Sequence, residues 1–487
     1  MRPMAMSPDL RSDADGLTLL AIGDVHLGTR PGSLPDGLDG EGVDPRALTP
    51  EAALETAIER AIEERVDAVL FAGDVVESTN ARFEALRPLE SAVHRLLDAK
   101  IRVLAVAGNH DVEALPRLAD EIEGFELLGR GGQWESRVVE NETGDAVEIL
   151  GWSFPERRVR NSPVDALLRD PIAPSRPGIP RIGLLHGDLD ASGGSYAPFS
   201  STELAAAGLD AWLLGHIHKP SLAAGADVVG AGPSTDPKGD PLGCPQGYLG
   251  SLVGLDPGET GPHGPWLVRI NSRGEVTTQQ LVTAPLRWER FDVRVGEDEA
   301  PEDLADRLLG EIVRVGREIQ VQIPAQGRVP KVVGLRPRLT GRTRHYEALR
   351  RYVDEGRFDG LIRSAGGTLV FIDKVVEGLE LAHDLEDLAR GDDPPALMAR
   401  KLLVLRQPGE RRDALLDATR EALRGLAESS RWSGLAEERG GKDLLSDDRA
   451  LAALLVQSGT AALSELLSQS SPTSEASNRD AEGEVGS

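Results

Sequence analysis

Gly108-Asn109-His110-Asp111 follows directly on the apolar run Ile101–Ala107, and this junction decides how the chain is interpreted. The run has the length and composition of a buried β-strand. Asparagine is uncommon in strands and in cores. An amide beside an imidazole and a carboxylate at this position therefore indicates a functional role. In α/β folds, ligands and reacting groups collect at the carboxyl ends of strands. The motif therefore predicts a functional site in an α/β fold.

Four other motifs repeat the arrangement of an apolar strand followed by residues that bind metals. They are Gly23-Asp24-Val25-His26, Gly73-Asp74, His186-Gly187-Asp188 and Gly215-His216-Ile217-His218. Each motif is a weak signal alone, but the ordered set contains five of the nine histidines of the chain. Up to His110 the segments alternate as strand, helix, strand, helix and strand, which is typical of parallel strands with right-handed crossovers.

The residues of these motifs form a candidate set of metal ligands. The set contains two aspartates, one amide and four histidines: Asp24, His26, Asp74, Asn109, His186, His216 and His218. A closed zinc site takes four ligands, so this larger set predicts two ions whose shells are completed by water or substrate. Mixed nitrogen and oxygen ligands favour Mn²⁺, with Fe or Zn as alternatives. A carboxylate can bridge two ions about 3.5–4 Å apart, and Asp74 is the best candidate because it is alone on its strand.

A pair of divalent ions suits the hydrolysis of phosphoesters, because the ions acidify a water molecule and neutralise the phosphoryl oxygens. His110 stands beside the candidate ligand Asn109 and is not itself in the ligand set. An imidazole can exchange a proton near neutral pH. His110 is therefore predicted to be the catalytic residue that steadies or protonates the leaving oxygen.

Length and composition restrict the class of protein. At 487 residues the chain is too long for one core, so two or three domains are expected. The formal net charge of -26 argues against a protein that is basic all over, but it permits a local basic patch. Cys244 is the one cysteine, which excludes an intrachain disulfide. Residues 1–15 lack the apolar stretch of a signal peptide and no run of about 20 apolar residues occurs, so a cytoplasmic protein without a membrane segment is expected.

The ordered motifs resemble those of the calcineurin-like metallophosphoesterase superfamily, and within it the DNA repair exonuclease branch of the SbcD and YhaO type. Asp24-Val25-His26-Leu27-Gly28 matches the first motif of that branch, and Tyr248-Leu249-Gly250-Ser251 with Glu259 resembles the segment after its last histidines. The resemblance implies a four-layer α/β/β/α sandwich with a small α/β cap and a helical C-terminal region. It also implies that one ion is held by Asp24, His26, Asp74 and His218, and the other by Asp74, Asn109, His186 and His216.

Five segments are expected along the chain. They are a disordered N-terminus at 1–16, the metallophosphoesterase core at 17–285, the cap at 286–375, a helical partner-binding region at 376–467 and a disordered tail at 468–487. Residues 223–246 form a Gly/Pro/Asp loop that is longer than the resemblance leads us to expect. The resemblance also implies that the helical region docks on an SMC-like coiled-coil ATPase. Simple packing of these helices on the cap is the alternative, and a homodimer is left open.

A basic cluster stands out in the predicted cap, where seven Lys and Arg residues accompany a single acid between positions 331 and 351. Five of them are candidate contacts to the DNA backbone: Lys331, Arg336, Arg338, Arg342 and Arg344. A solvated helix face is the alternative. The sequence thus favours a two-metal DNA exonuclease or endonuclease of double-strand break repair. A small-molecule phosphodiesterase or pyrophosphatase on the same core, and a metal-bound scaffold that recruits an ATPase, are the other hypotheses.

Overall fold

The computed structural model describes residues 16–77, 82–191, 193–222, 244–382, 384–427 and 447–470. The predicted disordered ends therefore lie outside the described residues for 1–15 and 471–487, as does most of the predicted loop, 223–243. Within the described ranges the α-helices are α1 (Pro50–Glu64), α2 (Arg82–Asp98), α3 (Leu115–Glu121), α4 (Pro163–Arg169), α5 (Ser201–Ala207), α6 (Pro301–Gln322), α7 (Tyr346–Asp354), α8 (Leu385–Leu388), α9 (Pro394–Arg406), α10 (Glu410–Ala427) and α11 (Asp448–Ser470).

The strands of the same ranges are β1 (Gly16–Ile22), β2 (Ala68–Ala72), β3 (Arg102–Val106), β4 (Phe125–Leu127), β5 (Glu135–Glu140), β6 (Ala146–Trp152), β7 (Arg181–His186), β8 (Ala211–Gly215), β9 (Gln246–Tyr248), β10 (Trp266–Asn271), β11 (Val276–Gln280), β12 (Leu286–Arg294), β13 (Val332–Thr343), β14 (Ile362–Ala365), β15 (Thr368–Ile372) and β16 (Val376–Leu381). One sheet has the order β11-β10-β1-β2-β3-β4 and another the order β5-β6-β7-β8-β9. Strands β1 to β4 are mutually parallel, as are β6 to β9, so the predicted parallel pairing is confirmed.

The apolar side chains of these strands alternate between two faces, which explains the layers. Leu19 of β1 and Leu213 of β8 belong to one buried cluster that fills the space between the two sheets. Leu20 of β1 points to the other face and packs in the cluster that includes the apolar sides of α1 and α2. Trp212 of β8 packs outward with residues of α4 and α5. The predicted four-layer α/β/β/α sandwich is thereby confirmed.

The chain divides into two compact units, and the division runs through the predicted cap. The first unit comprises 1–291, 309–336 and 360–374, and the second comprises 292–308, 337–359 and 375–487. The long strand β13 explains this result, because its first residues pair with β15 in the first unit and its last residues pair with β16 in the second. A cap with the bounds 286–375 therefore coincides with neither unit. The bounds of the five segments predicted from the sequence stay predictions.

The C-terminal helices agree with the predicted segments at 396–405 and 410–427. Leu405 of α9, Leu416 of α10 and Leu451 of α11 are buried in one apolar cluster of the second unit. The two predicted helices therefore do bury one face together, with α11 as a third member. Leu397 of α9 remains 53% exposed. Helix α11 continues to Ser470, so residues 468–470 of the predicted disordered tail are helical.

One helix departs from the expectation that no segment could span a membrane. Residues Asp448–Leu467 of α11 are long and apolar enough to cross a membrane by length and composition alone. Alanines and leucines raise the mean hydropathy of this helix although polar residues interrupt every apolar run. A single helix of this kind is weak support for a span, because the core helix of a soluble protein passes the same test.

Candidate metal centre

The candidate ligands follow β1, β2, β3, β7 and β8, and the carboxyl ends of these five strands bring them together. Two glycines allow the connecting loops to approach closely. A Cβ on Gly108 would lie 2.1 Å from Oδ1 of Asp74, and a Cβ on Gly215 would lie 2.0 Å from the carbonyl oxygen of Ala72. A side chain at either position would push the loops apart. Glycine therefore precedes Asn109 and His216 for a steric reason.

Backbone strain is concentrated at four of the candidate ligands. Asp24, His26, Asp74 and His216 have positive φ angles of 37°, 54°, 47° and 108°. A non-glycine residue in such a conformation costs about 1–3 kcal/mol and persists where the surrounding structure fixes it. The strained backbone therefore accompanies the close placement of these side chains.

A first group of ligand atoms is formed by Asp24, His26 and His218. The Nε2 atoms of the two histidines lie 2.9 Å apart. Nδ1 of His26 lies 2.7 Å from the Glu77 carboxylate, and Nδ1 of His218 lies 2.7 Å from that of Glu259. With Nδ1 occupied in this way, each ring presents Nε2 as its ligand atom. Nitrogens bound at right angles to one ion at 2.0–2.1 Å would be about 3 Å apart, so this pair fits two ligands of one ion.

A second group is formed by Asp74, His186 and His216. Nδ1 of the buried His186 donates to the carbonyl oxygen of Ala72 over 3.0 Å, which leaves Nε2 as its ligand atom. This Nε2 lies 3.1 Å from Oδ1 of Asn109 and 3.2 Å from Oδ2 of Asp74. The same carboxylate oxygen lies 4.0 Å from Nε2 of His26 in the first group. Asp74 therefore stands between the two groups, as a bridging ligand must.

The charges of the centre suit cations. Burial would lower the pKa of His186, but the carboxylates of Asp74 and Asp24 outweigh it and raise that pKa to about 9. Burial would likewise raise the pKa of Asp74, but the surrounding imidazoles, His186 foremost, lower it instead. The carboxylate oxygens and imidazole nitrogens thus stabilise positive charge in the buried interior of the site. The donor set and its spacing fit two divalent ions.

His110 is 43% exposed and forms a third group of possible ligand atoms with His26 and Glu77. Its backbone N–H donates to Oδ1 of Asp74 over 2.9 Å, and its Nδ1 lies 3.1 Å from Oε1 of Glu77. The hydrogen bond to Glu77 raises the pKa of His110 to about 9, and the two histidines bonded to Glu77 lower the pKa of that carboxyl to about 2. The bond to Glu77 therefore favours the protonated form of the His110 ring and engages its Nδ1.

The sequence of this region matches a known family. The profile of the family described as Calcineurin-like phosphoesterase matches residues 17–220. Residues 17–220 form a calcineurin-like metallophosphoesterase domain. The predicted superfamily is thus confirmed, and with it the prediction of a metal-dependent phosphoesterase domain. The metallophosphoesterase domain contains every candidate ligand and His110.

Relatives of the metallophosphoesterase domain include two curated proteins. An uncharacterized metallophosphoesterase of Bacillus subtilis, YhaO, is 26% identical over 290 residues, which are 58% of this chain and 64% of that protein. The DNA double-strand break repair protein Mre11 of Aeropyrum pernix is 27% identical over 315 residues, which are 62% of this chain and 70% of that protein. Among solved structures, a dimetal phosphatase from Danio rerio matches with a TM-score of 0.31 and 13% identity, over 55% of this chain and 99% of that one.

The predicted DNA-binding residues are distributed over both compact units. Lys331 and Arg336 belong to the unit that carries the metal centre, and Arg338, Arg342 and Arg344 belong to the other. Three of the five face acids of their own unit. Arg336 lies 2.5 Å from Asp373, Arg342 lies 3.4 Å from Glu380, and Arg344 lies 2.9 Å from Glu297 and 3.0 Å from Asp298. The cluster is therefore less positive than its sequence indicates, and its contact with DNA stays a prediction.

Three acids of the metallophosphoesterase domain contact the candidate site but are not among the site residues predicted from the sequence. Glu77 joins His26 to His110, and it stands in a segment without any distinguishing pattern. Asp188 lies 2.9 Å from Nε2 of His216. It belongs to the motif that begins at His186, and that position could have identified it from the sequence. Asp111 accepts from the backbone N–H groups of Gly108 and Val75, each over 2.7 Å, and so ties the loops after β2 and β3 together.

Proposed function

We propose that this chain is a two-metal phosphodiesterase that cleaves DNA in the repair of double-strand breaks. The observation that carries the proposal is the convergence of Nε2 atoms from His26, His218 and His186 beside Asp74, which also accepts the backbone N–H of His110. The DNA substrate is supported by the similarity to a protein named for double-strand break repair.

Two divalent ions bound in this centre would acidify a water molecule to give the nucleophile and would neutralise the charge of the phosphoryl oxygens. Asp24, His26 and His218 would hold one ion, Asn109, His186 and His216 the other, and Asp74 both. Glu77, Glu259 and the Ala72 carbonyl fix the rings of His26, His218 and His186 with Nε2 as the ligand atom. His110 gives its Nε2 proton to the leaving oxygen while Glu77 holds its Nδ1.

The assay that tests this function compares substrates under one set of conditions with Mn²⁺. Duplex and single-stranded oligonucleotides, dinucleoside polyphosphates and a small chromogenic diester are supplied to the full chain. Cleavage of DNA that ceases with a chelator supports the proposal. A preference for the small substrates overturns it in favour of a nucleotide phosphodiesterase or pyrophosphatase. Full metal occupancy without hydrolysis of any substrate leaves the scaffold hypothesis.

The small-molecule alternative draws support from the acids that face Arg336, Arg342 and Arg344. We nevertheless propose a backbone contact for Lys331 and Arg338, which are exposed and form no salt bridge with a described residue. Replacement of both by Gln is expected to weaken DNA binding and to flatten its salt dependence. Replacement of Arg342, which faces Glu380, is the matched control and should have a smaller effect. Equal effects would show that the contact is not specific.

We also propose that the helical region binds an SMC-like coiled-coil ATPase through its exposed apolar residues. Leu397 of α9 is 53% exposed and Leu454 of α11 is 37% exposed. Replacement of both by Glu should abolish co-purification with a coiled-coil ATPase from the same genome and spare hydrolysis of a small diester. Val321 of α6, which is 87% exposed, gives the control substitution Val321→Glu. Retained binding in the double variant would remove this surface from consideration. The cytoplasmic location and a homodimer stay predictions.

A further inference from the structure

A cavity of about 320 Å³ opens beside the proposed catalytic histidine. Its lining consists of Glu77, Asn109, His110, Arg157, Arg158 and Tyr196. Glu77 is engaged by the rings of His26 and His110. Arg157 and Arg158 are exposed, and neither forms a salt bridge with any residue that the structure describes. The cavity is of the size that small-molecule sites occupy, with two guanidinium groups at its wall.

Backbone hydrogen bonds fix both ends of the segment that carries these arginines, at positions close in sequence to residues of the candidate site. The backbone N–H of Phe154 donates to the carbonyl oxygen of Ala107 over 3.1 Å, two residues before Asn109. At the other end the N–H of Val159 donates to Ser195 over 3.0 Å, and the N–H of Ala197 donates to Val159 over 2.7 Å. These bonds flank Tyr196, whose ring centroid lies 5.3 Å from that of His216. The backbone of Arg157 and Arg158 thus has a set position relative to Asn109 and His216.

Arg157 and Arg158 bring positive charge to the wall of the cavity. The chain has a net charge of -26, and many of its arginines are paired with acids, as Arg181 is with the buried Glu148 at 2.8 Å. Unpaired guanidinium groups at a cleft act as sites for phosphate, because their planar set of donors matches two phosphate oxygens at once. The local field rather than the net charge determines where an anionic substrate binds.

We propose that Arg157 and Arg158 bind the phosphate next to the scissile one, and so select substrates that carry two or more phosphate groups in a chain. This inference rests on the proposed phosphodiesterase function and names its substrate class as a single nucleic acid strand. A dinucleoside polyphosphate presents the same chemistry. The two arginines are positioning residues that act on substrate binding.

The test uses the full chain with Mn²⁺ and the double variant Arg157→Gln/Arg158→Gln. We measure kcat/KM for a single-stranded oligonucleotide and for bis(4-nitrophenyl) phosphate, which has one phosphate. In the double variant, kcat/KM for the oligonucleotide divided by kcat/KM for the diester should fall at least tenfold, mainly because KM for the oligonucleotide rises. Two lost contacts should also flatten the logarithmic salt dependence of oligonucleotide binding by about 1.4, at about 0.7 for each contact to a single strand. The double variant Arg157→Lys/Arg158→Lys should recover part of the kcat/KM ratio that the Gln double variant loses.

Arg160→Gln is the matched control, because Arg160 is exposed in the same segment and does not line the cavity. It should leave the ratio unchanged. Equal losses on both substrates in the double variant, or no loss on either, would overturn the inference. If the wild-type chain cleaves dinucleoside polyphosphates and not DNA, the proposal of a DNA substrate is wrong, independently of the inference about the two arginines. The same ratio measured with a dinucleoside diphosphate then decides whether the arginines recognise a second phosphate.

Discussion

The Nε2 atoms of His26 and His218 face each other at 2.9 Å, although 192 residues separate the two histidines in the chain. Each ring has its Nδ1 on a carboxylate, so each directs its other nitrogen at its neighbour. Two unprotonated nitrogens at this distance repel each other. A divalent ion bound by both nitrogens would remove this repulsion. The fold therefore positions the pair as two candidate ligands of one ion.

Asp74→Asn is expected to reduce binding of both ions, because the carboxylate stands between the two ligand groups. The amide keeps the shape of the side chain and removes its negative charge. Elemental analysis after dialysis against Mn²⁺ should find fewer ions per chain than in the wild type. Saturating Mn²⁺, which at 100 times Kd stabilises a folded protein by about 2.7 kcal/mol per site, should raise the Tm of the variant less. Unchanged metal content would show that Asp74 bridges nothing.

His110→Ala is expected to separate chemistry from metal binding. The proposed proton donor is lost, which typically costs about 10²–10⁴-fold in rate. The backbone N–H of residue 110, which donates to Asp74, is retained. Metal content should therefore equal that of the wild type while turnover of a small diester collapses. Loss of metal from this variant would mean that His110 is a ligand.

Glu77→Gln and Glu259→Gln form a matched pair, since each removes a carboxylate that orients one ring of the His26–His218 pair. Removal of such a partner costs about 10–100-fold in metal affinity. Glu77 also holds His110, whereas Glu259 does not. At saturating Mn²⁺ the turnover of Glu259→Gln should recover and that of Glu77→Gln should stay low. Recovery of both variants would show that Glu77 does not position His110.

Gly108→Ala tests whether close approach of the loops builds the centre. The added methyl would lie 2.1 Å from Oδ1 of Asp74, so the ligand must move although no ligand is removed. Gly40→Ala is the control, because a Cβ there meets no atom within 4 Å. Titration with Mn²⁺ should show weaker binding for Gly108→Ala and normal binding for Gly40→Ala. Equal affinities would contradict the steric argument.

The sandwich and the candidate ligands were predictable because both depend on short, local patterns. Each ligand motif directly follows an apolar strand, and parallel strands bring their carboxyl ends to one edge whatever their separation in sequence. Glu77, Arg157 and Arg158 were not predictable in this way. Their roles arise from loop paths, such as the bond from Phe154 to Ala107, and no periodicity encodes such a path.

The predicted cap illustrates a second limit. Apolar periodicity identified its strands and helices, but it did not show that β13 passes from one compact unit into the other. Nor did the run of basic residues along β13 show that Arg336 and Arg344 face Asp373, Glu297 and Asp298. Acids that neutralise a basic run can come from distant parts of the chain. Net local charge is therefore a property of the fold.

The proposed ligand assignment places two ions in this centre, with Asp74 shared between them. The most direct measurement is anomalous scattering at the manganese edge from crystals of the full chain grown with Mn²⁺. Two peaks about 3.5–4 Å apart are expected, one beside His26 and His218 and one beside His186 and His216, with Asp74 between them. A single peak, or ions bound away from these residues, would show that the assignment is wrong.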